Sequence, residues 1–183
     1  MCYTHRRLMV DLATQLVAEG DDILDHPDNV IMMNEVDGTE AETANTEAAD
    51  SLQSLAQEKY DKALKVLEKL DKELPAENVP YDASSLYEAS LYLHIGADDP
   101  AIAEKAKPIL DALWKRSSQY IIYYESFDND TFKAYNDECL MHFSFLRYIK
   151  SLYASLDSEK AEELEKQQMT LLETFIRKGG QLE

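Results

Sequence analysis

Between positions 52 and 74 the apolar residues return in steps of three and four: Leu52, Leu55, Tyr60, Ala63, Leu64, Leu67, Leu70 and Leu74. That period lays them along one face of an α-helix. Lys59, Asp61, Lys62, Lys65, Glu68, Lys69, Asp71 and Lys72 fill the other face. Pro75 ends the helix and Pro80 sets an extended approach to the next element. A helix with so clean a stripe needs other helices to cover it, and the rest of the chain supplies them. No stretch alternates as a strand would, and only 5 Gly and 5 Pro interrupt 183 residues. The expected fold is all-α: about six helices stacked in antiparallel pairs in one domain over 1–183.

A first helix is expected over 4–19, with Met9, Leu12, Ala13 and Leu16 inward and Gly20 as its stop. A third, after Pro80, is apolar nearly all round. Asp99 and Pro100 read as a cap and first-turn proline opening a fourth helix, which Pro108 should kink or divide. Phe132, Tyr135, Cys139, Phe143, Leu146, Ile149 and Tyr153 mark a fifth. Asp157 or Ser158 caps a sixth, in which Ala161, Leu164, Leu171, Leu172, Phe175 and Ile176 face inward before Gly179 and Gly180.

Charge bounds the function. The formal net charge is −18, which excludes a nucleic-acid partner and disfavours an anionic membrane surface. Residues 8–58 hold thirteen Asp or Glu and no Lys or Arg. The stretch 21–50 reads as an acidic, flexible insertion, which Val30, Ile31, Met32 and Met33 could tack to the helices, with the second helix beginning near Thr46. No run approaches the roughly 18 apolar residues that a membrane span needs, so direct membrane insertion is not expected.

Candidate chemistry is sparse. Asp21, Asp22, Asp25 and Asp28 lack the spacing of a calcium loop. His5, His26, His94 and His142 show no short metal-ligand spacing, and no metal or other cofactor is expected. His94 should face a neighbouring helix. Cys139 and His142 share a helix face and could pair as nucleophile and base, although a buried thiol beside a partly buried imidazole is the simpler reading. Cys2 and Cys139 are too few to mark a redox compartment. The aromatic segment 120–153 could form a glycan platform or a small-molecule pocket around Tyr123, Tyr124 and Tyr135, set against the plainer role of core packing. Tyr123, Tyr124 and Phe127 are the members expected to be partly exposed.

Ala63, Leu67 and Pro75 have the small-large-proline spacing of the second helix of a tetratricopeptide repeat. Ala89, Tyr92 and Gly96 match the first helix of another, although Ser85 and Glu88 stand where bulky residues are usual. Gly20 and Ala63 are 43 residues apart where a repeat has about five. In stacked repeats the first helices line the concave, partner-binding face. That geometry nominates Arg7, Val10, Thr14, Val17, Leu86, Ser90 and Leu93 for a protein or peptide partner.

The runs LMVDLATQLVAEG, DKALKVLEKLDKELPAENVPYD, SLYEASLYLHIG and YIIYYESFDNDTF resemble, in order and spacing, the C-terminal tail of a bacterial family of polytopic membrane proteins. The N-terminal part of that family is similar to C-type, lipid-linked-sugar-dependent protein O-mannosyltransferases. The resemblance implies a non-catalytic tail on the periplasmic face of the inner membrane, tethered through N-terminal spans that also hold the catalytic acid. No catalytic residue carries over to this chain, and the insertion departs from the usual tail.

Overall fold

The computed structural model describes residues 3–26, 41–75, 78 and 80–182, and all regular structure among them is helical. The contacts sort into two compact units, Met1–Pro75 and Ala76–Glu183. The first is a helical hairpin of α1 (Tyr3–Asp25) and α2 (Ala41–Glu73). The second holds α3 (Ala83–Ile95), α4 (Pro100–Ala103), α5 (Ala106–Glu125), α6 (Asn129–Ala134), α7 (Asn136–Leu156) and α8 (Ser158–Arg177). The all-α expectation holds: among the described residues there are six long helices, with two short ones beside them.

In the hairpin the buried stripe of α1 is Met9, Val10, Ala13 and Val17; that of α2 is Leu52, Ala56, Ala63, Leu67 and Leu70. Alanines at three of these positions let the two backbones approach closely. Antiparallel register shows in the cross-links. Lys59 Nζ donates to Glu19 at 2.5 Å, Tyr60 Oη donates to Asp21 at 2.6 Å, and His5 lies 3.9 Å from Glu73.

Three expectations about this unit are overturned. Gly20 does not stop α1 but lies buried within it. A Cβ there would sit 2.6 Å from the Tyr60 ring, so the glycine makes a notch for that ring. Leu12 and Leu55, expected on the inner faces, are 48% and 41% exposed, because the buried stripe runs through Val10–Ala13–Val17 and Leu52–Ala56. Both described ends of the acidic insertion are helix. α1 runs on to Asp25 and α2 starts at Ala41, ahead of Thr46, since no proline interrupts either end. Cys2, Asp28 and positions 30–40, the apolar patch included, lie outside the described residues.

Several helix ends of the second unit are set by local chemistry. Asp82 caps α3 by accepting from Ser85 N at 3.0 Å. Gly96 ends it where a Cβ would fall 2.4 Å from Ala103 N, so α3 and α4 approach backbone to backbone. Asp99 caps α4 with Pro100 at its first position. The chain then turns at Glu104–Lys105 and α5 begins at Ala106, which places Pro108 in a first turn, where a missing N–H costs nothing. The proline therefore accompanies a division, not a kink. The expected fifth helix is likewise divided, at Tyr135.

α5 and α7 run antiparallel, with Tyr153 Oη donating to Asp111 at 2.7 Å. α7 and α8 do the same: Lys150 pairs with Glu165, and Phe175 meets Phe143 edge-on at 5.4 Å. Ile176 is 50% exposed and not inward, because Ala161, Leu164 and Phe175 carry the buried face of α8. Ser85 and Glu88, the two departures from repeat-like bulk in α3, are both buried.

Candidate functional site

Three side chains from separate parts of the second unit meet at one point. Tyr81 stands one residue before the cap of α3, Ser117 midway along α5, and His142 on the second turn of α7. The Tyr81 phenol oxygen lies 2.5 Å from Ser117 Oγ and 2.6 Å from His142 Nδ1. Its ring packs against Phe145 at 4.8 Å and Tyr120 at 5.4 Å. Tyr120 lies parallel on the imidazole, with centroids 4.9 Å apart and planes within 4°. Tyr124, one helical turn on, faces the same imidazole at 6.0 Å and stacks on Tyr135 at 4.9 Å. Phe127 then closes edge-on against Tyr123 and Tyr124.

Burial sets the charge state of this group. It pushes the Tyr81 phenol up to about 12 and the Cys139 thiol up to about 11. It holds the His142 imidazole below its ordinary range, against an opposing pull from Glu138. All three are therefore neutral near pH 7. A thiolate–imidazolium nucleophile needs the opposite shifts, so the Cys139–His142 pair does not have that character. Ser117 is fully buried, which closes its hydroxyl to a substrate. What remains is a neutral hydrogen-bond relay that fixes the surrounding rings.

Those rings reach the surface. Tyr120 is 43% and Tyr123 58% exposed, and with Arg116 and Gln119 they line an open cleft of about 480 Å³. Tyr124 and Phe127 are half-buried. Tyr124, Tyr135 and Phe127 pack on one another. Glu125, at the end of α5, has its carboxyl raised by burial, with Lys178 and Arg177 pulling the other way.

The residues nominated for a concave face fall in both units: Arg7, Val10, Thr14 and Val17 in the first, Leu86, Ser90 and Leu93 in the second. Val10, Val17 and Leu86 are buried. Thr14 and Ser90 turn their hydroxyls back to the carbonyls of Val10 and Leu86, and exposed Arg7 lies 4.0 Å from Asp11. His94 is exposed. Among the described residues no group of three or more His, Cys, Asp or Glu could hold a metal ion.

Tyr81 is the residue that sequence reasoning missed. Its signal was position: an aromatic just before a helix cap commonly folds back to pack. No family model, curated protein or solved structure matches this chain.

Proposed function

We propose that the chain is a non-catalytic, repeat-like helical module that holds a protein partner against the aromatic edge of its second unit. The observation that carries this reading is the exposure of Tyr120 and Tyr123 on a rigid support. Tyrosines anchored from behind offer large contact area at small entropic cost, which is what binding hot spots use. The order of the helical motifs further supports a tail of a membrane glycosyltransferase-like protein, with the partner met on the periplasmic side.

A photo-crosslinking residue at position 123, in the full-length protein in its native cell, tests the proposal. One discrete protein adduct is expected, lost when Tyr120→Ala is added. Adducts no stronger than those from an exposed control position such as Glu162 would reject it. The cleft beside Arg116 and Gln119 favours one other reading, a glycan or small ligand stacked on the tyrosines. Saturation-transfer NMR with oligosaccharides separates the two, since only that reading expects transfer that Tyr123→Ala removes.

A further inference from the structure

We propose that Tyr81 is a latch, released by protonation of His142, which fastens the segment entering α3 and covers an aromatic slot between α5 and α7. The segment is short: Asp82 N donates to Pro80 O at 3.1 Å, and Ser85 Oγ donates to the same carbonyl at 2.6 Å. Tyr81 sends its ring from this segment to α5 and α7. Withdrawing it would bare ring faces of Tyr120, His142 and Phe145. Tyr120 also lines the open cleft, so the bared slot would extend the exposed aromatic edge. The latch itself stands whether or not that edge binds a partner.

His142 is the trigger because of its hydrogen-bond bookkeeping. With its proton on Nε2, neutral His142 accepts from Tyr81 O–H, and Tyr81 accepts from Ser117 O–H. An imidazolium has no acceptor left. Its Nδ1–H must donate to Tyr81, which forces the Tyr81 O–H to turn away from the imidazole. The charge would also sit almost fully buried. Facing it are Tyr81 from the entering segment, Tyr120 and Tyr124 from α5, and Glu138 from α7. Of these only Glu138 carries a compensating charge, and burial outweighs it. The sign follows. Above about 6.5, the free imidazole's ordinary value, latched and released forms are both neutral and the latch is at full strength. Below it the released form takes up the proton first, so the latch weakens as pH falls.

Hydrogen exchange of the backbone amides in residues 81–86 tests the latch on the full chain. Rates are corrected for intrinsic pH dependence, and the α7 amides of Leu146 and Ile149 report global unfolding. Protection of 81–86 should be flat from pH 8 to about 6.5, then fall by up to about tenfold per pH unit while the α7 amides hold. His142→Asn keeps an uncharged hydrogen-bonding side chain and should abolish the pH dependence. Tyr81→Phe keeps the ring but loses both hydrogen bonds, and should lower protection at every pH. Flat protection in the wild type, an unchanged slope in His142→Asn, a fall shared with α7, or a silent Tyr81→Phe would each overturn the proposal.

Discussion

Gly20 costs α1 about 1 kcal/mol relative to alanine, yet it sits in the helix interior with the Tyr60 ring over it. The ring and its hydrogen bond to Asp21 offset that cost, and the glycine is there to make room. Gly20→Leu should therefore destabilise the hairpin by roughly 2 kcal/mol through overpacking. The same change in a Tyr60→Ala background should cost about half as much or less, because the clash is gone. Chemical denaturation of the four proteins, followed by circular dichroism, gives the coupling. Additive effects would remove Tyr60 as the reason for the glycine. A glycine followed by two aspartates looks like a helix end in sequence, and only the residue 40 positions later shows that it is not. Tyr81, Ser117 and His142 were illegible for a similar reason: the partners are 36 and 61 positions apart. Tyr123, Tyr124 and Phe127 were legible as partly exposed because they crowd one helix end.

The caps at Asp99 and Asp157 and the glycine end of α8 were readable; the break at Tyr135, which has neither cap nor proline, was not. Asp82, Asp99 and Asp157 each accept from a backbone N–H of the helix that follows. Lys105, by contrast, keeps helical angles of −64° and −19° and makes no capping bond, so Pro108 in the first turn of α5 is what marks that division in the sequence. The end of α8 shows the readable kind. Gly179 has φ +94°, its N–H reaches Ile176 O at 2.9 Å, and Gly180 N–H reaches Phe175 O at 3.0 Å. This pair of bonds satisfies two carbonyls the helix would otherwise leave open. Gly179→Ala should lower stability by about 1 kcal/mol, the cost of a left-handed backbone for an L-residue. Gly180→Ala meets a different obstacle, the Phe175 ring 2.4 Å from the new Cβ, and should disturb the Phe132–Phe175–Phe143 contacts instead. Thermal melts distinguish them when combined with Phe175→Leu, which should relieve the second change and not the first.

At the scale of the molecule, composition and periodicity were enough for the fold class, because nearly every described segment is amphipathic helix. The grouping into two units was not legible, since it depends on which helix faces find one another. The second unit has its own buried set, from Leu86 in α3 to Phe175 in α8, and is large enough to fold independently. A fragment of residues 76–183 should give a helical far-ultraviolet spectrum and a cooperative denaturation curve. A gradual, non-cooperative loss of ellipticity would show that it needs the hairpin.

The chain has one tryptophan, and it belongs to the second unit: Trp114 is buried in α5 with its indole N–H donating to Gln167 at 3.0 Å. Tryptophan emission is therefore a private reporter of that unit, and the hairpin of α1 and α2 is dark to it. Ellipticity sees both. Two coincident denaturation curves would mean that the units melt as one cooperative body, and separated curves would give each unit a stability of its own.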